Sequence, residues 1–179
     1  MNQLKTGALF ARIDTFELGL CLACNRACHR ERLRRFFAIV SRLGDGVFWY
    51  TLMALLPLLY GTAALRASVH MAIVALTGVL LYKSLKSRMV RERPFIHHAG
   101  IALGTAPLDR YSFPSGHTLH AVAFSLVVLD YYPQLAWVVL PFTALVAASR
   151  VVLGLHYPSD VLAGALLGAL LALTSLALA

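Results

Sequence analysis

The charges of this chain are bunched, and between the bunches lie solid apolar runs of roughly membrane-crossing length. Lipid admits only helices or closed barrels, because an unpaired backbone group finds no water there. Barrel strands alternate apolar and polar residues over about ten positions. These runs do not alternate, so the sequence predicts an all-α, multi-pass membrane helical bundle. Composition agrees, with 59% apolar and 13% charged residues among 179 and a mean hydropathy of +0.73. The length suits one domain.

Five spans are expected, at about 46–65, 68–82, 115–129, 135–152 and 158–178. The shorter ones need flanking residues to reach the roughly 20 that cross a bilayer core. Ahead of them, Leu9, Ile13, Phe16, Leu20 and Cys24 recur at helical spacing, with Arg12, Asp14 and Glu17 off that face. Residues 4–28 are therefore expected to form an interfacial amphipathic helix. The same charges argue against a signal peptide. The basic stretch 29–43, with Arg30, Arg32, Arg34, Arg35 and Arg42, is expected among lipid headgroups. This divides the chain into an arm, 1–45, and a transmembrane domain, 46–179.

The formal net charge is +8. A nucleic-acid partner would need a soluble groove with basic and aromatic patches, and the apolar runs exclude one. Lys and Arg of a membrane protein instead sit in loops beside anionic lipid. Cys21, Cys24 and Cys28 share one helical face. Zinc sites draw on two ligand pairs, so an apolar helix face is expected in preference to a metal site.

Ionisable groups near membrane helices are costly and point to function. Three clusters qualify. Lys86 and Arg93 are seven residues apart, nearly two helical turns, so both are expected on one face, with Arg88 and Arg91 turned towards solvent or headgroups. Pro114-Ser115-Gly116-His117 opens the third span. A helix starting there offers free N–H groups and a positive dipole end to an anion, and Gly116 permits close approach. Ser149-Arg150, His156 and Asp160 form the third cluster. Pro158 starts a new helix, and a carboxylate four residues beyond His156 can orient its imidazole and leave the other nitrogen free. His117 and His156 are 39 positions apart, about two crossings, so both belong on one membrane face. Cations, imidazoles and a carboxylate gathered there suit a phosphate.

These three segments resemble the motifs of the phosphatidic acid phosphatase type 2 superfamily, which includes lipid phosphate phosphatases and vanadium haloperoxidases. The motifs read Lys86-Ser-Arg-Met-Val-Arg-Glu-Arg93-Pro94, Pro114-Ser115-Gly116-His117, and Ser149-Arg150 followed by His156 and Asp160. The resemblance implies that His156 takes the phosphoryl group, that Asp160 orients it and that His117 protonates the leaving oxygen. It implies a phosphate cradle of Lys86, Arg93, Ser115, Gly116 and Arg150, working without metal or other cofactor. The implied activity is hydrolysis of a membrane lipid phosphate or diphosphate, such as undecaprenyl diphosphate, phosphatidylglycerophosphate or phosphatidate. A phosphotransferase with the same intermediate and a non-catalytic lipid transporter or scaffold are the alternatives; the apolar spans argue against a soluble haloperoxidase. Bacterial members of the family often have six spans; here the surface helix is expected in place of the first.

Elsewhere, His97, His98, Asp109, Arg110 and Tyr111 are expected either to touch a headgroup or to form a solvated loop. His120 is expected to pack between helices, Asp45 to cap the first span, and Trp49, Tyr50, Tyr131 and Tyr132 to anchor at interfaces. The resemblance implies a bacterial inner membrane and a periplasmic site. The arginines of 27–42 favour a cytoplasmic one by the positive-inside rule.

Overall fold

The computed structural model describes residues 2–179, with side chains from Ile13 onward; Leu9 and Arg12 lie outside the described side chains. Helix α1 covers Asn2–Asn25. Helix α2 (Glu31–Arg42) passes through a π turn at Leu43–Val47 into α3 (Phe48–Tyr60). Then follow α4 (Leu65–Arg88), the single turn α5 (Pro94–His97), α6 (Gly116–Tyr131), α7 (Ala136–Val152) and α8 (Pro158–Leu178).

Among the described residues, four helical stretches are long and apolar enough to cross a membrane: Glu31–Tyr60, Thr62–Arg88, Pro133–Val152 and Pro158–Leu178. Their outward faces are apolar too. On α4, Val69, Ile73, Leu76 and Leu80 are exposed, and on α8 so are Leu162, Leu166, Leu170 and Leu173. In water such stripes would drive aggregation; helices apolar all round belong in lipid. The protein is a membrane protein.

At the centre stands α6, packed against α4, α7 and α8. Its closest contact is with α8, where Gly164, Gly168 and Ala172 recur every four residues and face it. A Cβ at Gly164 would lie 2.5 Å from the Ser115 carbonyl, and one at Gly168 would strike the Leu119 carbonyl. Small residues at this spacing let membrane helices approach backbone to backbone. The approach sets the start of α8, with Asp160, beside the start of α6, where the Ser115 N–H donates to the Asp160 carbonyl at 3.1 Å.

The structure corrects several sequence expectations. The first span does not begin at 46. The helical stretch starts at Glu31 and continues, through a kink at the π turn, to Tyr60. Gly44-Asp45-Gly46 reads as a break, and Gly46 does leave helical geometry at φ 134°, but it only kinks the helix. Asp45 makes no capping hydrogen bond. Trp49 is no interfacial anchor: it is 0% exposed and packs against Phe48, Phe124 and Phe142. Helix α4 ends at Arg88, and Arg93 is extended, at φ −77° and ψ 151°. Lys86 and Arg93 therefore do not share a helix face; proline at 94 disfavours helix at the residue before it.

Helix α1 lies along α7 and α8. Its face is turned the other way from the sequence expectation. Phe16 and Leu20 point outward, with Phe16 91% exposed, whereas Asp14 is buried. The buried carboxylates answer a buried charge described below.

Candidate active site

A cavity of about 530 Å³ opens where α3, α4, α6 and the 153–157 turn meet. Lys86, Arg93, Gly116, His117, Arg150 and His156 all line it. The motif residues thus converge from the end of α4, the residue before α5, the start of α6, the end of α7 and the turn that follows it. Much of the remaining wall is apolar or aromatic, from Trp49, Val79, Tyr82 and Phe124.

Each side chain is placed by its local backbone. Lys86 projects from the last turn of α4. Ser115 caps α6, with its Oγ 3.0 Å from Thr118 Oγ1 and fully buried, so that hydroxyl lies behind the wall and Gly116 and His117 face the cavity. Arg150 sits in the last turn of α7. The chain then reverses at Gly154, whose φ of 71° suits glycine. Both Leu155 and His156 donate their N–H groups to the Arg150 carbonyl at 3.1 Å. This tight turn aims His156 back beneath Arg150.

The His156 ring sits between a cation and a carboxylate. Its Nε2 is 3.3 Å from Arg93 Nη1. A guanidinium only donates, so Nε2 presents its lone pair and Nδ1 carries the hydrogen. Nδ1 faces Asp160 Oδ2 at 3.6 Å, just beyond hydrogen-bond reach, and has no other partner among the described residues. Asp160 Oδ2 meanwhile accepts the Tyr157 N–H at 2.9 Å. Burial, then the charges of Arg150, Arg93 and Lys86, holds His156 well below the ordinary imidazole pKa. The imidazole is neutral at pH 7, as a nucleophile must be.

The three motif cations at the cavity, Lys86, Arg93 and Arg150, differ in their company. Asp109 bridges two of them, at 2.6 Å from Lys86 Nζ and 2.8 Å from Arg93 Nη2. Burial pushes the Asp109 carboxyl up, but the hydrogen bonds and charges of Lys86 and Arg93 outweigh it and hold it below the usual range. Arg150 donates from Nη1 to the Ser41 hydroxyl, while its Nε is buried without a partner among the described residues. His117 Nε2 lies 3.4 Å from Asp45 Oδ1, which gives Asp45 a place at the cavity wall rather than at a helix end. His120 packs between helices, bonded to the Gly116 and Ala75 carbonyls at 2.9 and 3.2 Å, and it also lines the cavity. His97 and Arg110 are exposed.

Sequence reasoning missed Arg91. It was expected to face solvent or headgroups, yet it is 2% exposed and contacts Asp160. Its partners Asp14 and Glu17 come from α1. Two acids three residues apart in α1, Asp14 and Glu17, were the available signal.

Comparison with known proteins places these features. A family model described as the PAP2 superfamily matches residues 66–179. An undecaprenyl-diphosphatase of Sulfolobus acidocaldarius is 32% identical over 138 residues, covering 76% of this chain and 66% of that protein. The undecaprenyl-diphosphatase BcrC of Bacillus subtilis is 32% identical over 114 residues, 63% of this chain and 58% of that protein. The chain thus spans about two thirds or less of the length of these relatives. The crystal structure of Aquifex aeolicus LpxE matches with a TM-score of 0.78 at 27% identity, over 90% of this chain and 95% of that one. A PAP2-type phosphatidylglycerolphosphate phosphatase from Bacillus subtilis shares the fold, at a TM-score of 0.69 and 23% identity, over 99% of this chain and 95% of that one.

Proposed function

The chain belongs to the PAP2 superfamily, and from that premise we propose that it hydrolyses a membrane lipid phosphate or diphosphate through a phosphohistidine on His156. A polyprenyl diphosphate is the first candidate, since two relatives that this chain resembles bear the name undecaprenyl-diphosphatase. The observation that carries the reading is the cavity: Lys86, Arg93 and Arg150 with two imidazoles at one end of an apolar-walled space.

The chemistry follows from the placement. A phosphoryl group in the cavity meets three cations and the Gly116 amide at the α6 N-terminus, which together stabilise charge on its oxygens. His156 Nε2 attacks phosphorus as the bond to the lipid oxygen breaks. His117 gives its proton to that leaving oxygen. A water then attacks the phosphohistidine, returning a proton to His117 and releasing phosphate. Asp160 holds the imidazole and stabilises its charge. The apolar wall takes the lipid tail.

The proposal extends to topology. With α6 as a span, the bundle crosses five times, α1 lies at the interface, and residues 46–179 carry every residue named for the chemistry. The site faces the periplasm of a bacterial inner membrane, by the resemblance of its motifs. Labelling of cysteines placed in the 95–113 loop by an impermeant reagent in intact cells checks this. Protection of that loop would reverse the orientation.

The activity is tested by measuring phosphate release from a panel of lipid phosphates by the full chain in detergent. Release from at least one, lost in His156→Ala, is expected. No release from any lipid phosphate would contradict the reading, and transfer to an added acceptor lipid in place of release would make the protein a phosphotransferase.

A further inference from the structure

Arg91 holds a full set of partners, and Asp14, Glu17, Ser159 and Asp160 lie outside the cavity lining. A guanidinium has five N–H donors, and each has an acceptor here. Nε donates to Asp14 Oδ1 at 2.9 Å. Nη1 donates to Ser159 Oγ at 2.7 Å and to Asp160 Oδ1 at 2.5 Å. Nη2 donates to Asp14 Oδ1 at 2.5 Å and to Glu17 Oε2 at 3.0 Å. The guanidinium carbon lies 4.0 Å from the centre of the Tyr157 ring. Burial works against its charge, and Asp160, Asp14 and Glu17 outweigh that and raise its pKa.

Asp160 has two oxygens with two separate tasks. Oδ2 takes the Tyr157 N–H and faces His156 Nδ1; Oδ1 takes Arg91. With the residue 0% exposed, the carboxylate plane is held by its protein partners: the Tyr157 N–H, the Ser112 side chain and the Arg91 guanidinium, the one cation among them in hydrogen-bond contact. Glu17 anchors the other side. It accepts the Ser159 N–H at 2.7 Å and the Ser159 hydroxyl at 2.8 Å, satisfying an otherwise orphaned donor in the first turn of α8. One chain of contacts therefore runs from α1 through Arg91 to Asp160 and His156.

We propose that Arg91 is a positioning residue for the proposed reaction, holding Asp160 in the orientation His156 requires, and that α1 completes the site by fixing Arg91 through Asp14 and Glu17. This rests on His156 being the nucleophile. It assigns the amino-terminal helix a part in turnover and not only in membrane attachment. Arg91 is not among the residues lining the cavity, so its loss should act on the chemical step and leave lipid binding alone.

The test compares full-length variants in detergent, each shown to be monodisperse, with a polyprenyl diphosphate as substrate. Outer partners of catalytic groups contribute roughly 10- to 100-fold to activity, so Arg91→Gln should lower kcat by about that factor with KM unchanged. Arg91→Lys, which keeps one charged donor for Asp160, should recover part of the loss. The Asp14→Asn, Glu17→Gln double variant leaves Arg91 in place and should lower kcat by a smaller factor, again at constant KM. Wild-type kcat in folded Arg91→Gln would overturn the proposal. So would parallel loss of kcat and lipid binding that tracks unfolding temperature across the series, with no recovery in Arg91→Lys, since that is the mark of a purely structural role. The His156→Ala control separates the two claims. If it keeps turnover, the nucleophile reading falls and takes this proposal with it; if it is inactive while Arg91→Gln is fully active, only the positioning role falls.

Discussion

Arg91 and Arg150 are both buried in one small protein, on opposite sides of His156, and their surroundings are opposed. Arg91 is enclosed by Asp14, Glu17 and Asp160 and every N–H has an acceptor. Arg150 has a serine hydroxyl, an unpartnered Nε among the described residues, and a cavity in front of it. A buried charge left short of acceptors is expensive. The proposed function accounts for the difference: the cost is borne where it brings an anion, and avoided where the cation is proposed as scaffold. His156 stands at the boundary, with Nε2 towards the cations and Nδ1 towards the carboxylate.

The largest expected effect comes from exchanging the two roles. Arg150→Met removes a donor aimed at the developing charge, and kcat/KM should fall by roughly 10²- to 10³-fold. Its unfolding temperature should not fall, because a poorly satisfied charge leaves the interior. A variant that lost stability instead would show Arg150 to be scaffold like Arg91. Arg91→Met should do the reverse to stability, since removing one partner of a buried ion pair costs about 3–5 kcal/mol. Denaturation in mild detergent measures it, and a cost under about 1 kcal/mol, the range of exposed pairs, would break the contrast.

A smaller effect tests the joint between the two regions. Gly168→Ala forces α8 away from the Leu119 carbonyl of α6. Overpacking costs about 1–3 kcal/mol, and moving Asp160 relative to His117 should lower kcat as well. Full stability and activity would show that the close approach is incidental. The smallest effect is in pH. His156 is held well below the ordinary imidazole value by burial and then by Arg150, Arg93 and Lys86, so the folded state declines a proton that the unfolded chain binds below about 6.5. Stability contributed by this group should rise with pH between the depressed value and 6.5 and stay level above it. Across that window His156→Gln should flatten the slope by up to about 1.4 kcal/mol per pH unit. An unchanged slope would mean that the ring is not shielded from protons.

The cavity side was legible in the sequence because its residues sit at helix ends that the sequence marks. Ser115 caps α6 and Pro158 opens α8 where the motifs place them. The two-crossing separation of His117 and His156 carried both to one cavity. The carboxylate-rich side was not legible. Asp14 and Glu17 are remote in sequence from Arg91, and an amphipathic pattern does not say whether its charged face meets lipid headgroups or another charge. Asp45 escaped for a local reason: between two glycines it resembles a cap, but the helix kinks through it and turns it towards His117. The shared face expected of Lys86 and Arg93 failed because α4 stops between them. Both still reach the cavity, joined by Asp109.

The central claim is that His156 carries the phosphoryl group. Rapid quench of the full-length enzyme during turnover of a polyprenyl diphosphate, followed by peptide mass spectrometry under alkaline conditions that preserve phosphohistidine, measures it directly. The account predicts a phosphoryl mass on the peptide containing His156, absent from the His156→Ala variant and chased away as phosphate is released. Steady turnover with no phosphorylated His156, or with the label on His117 instead, would contradict it.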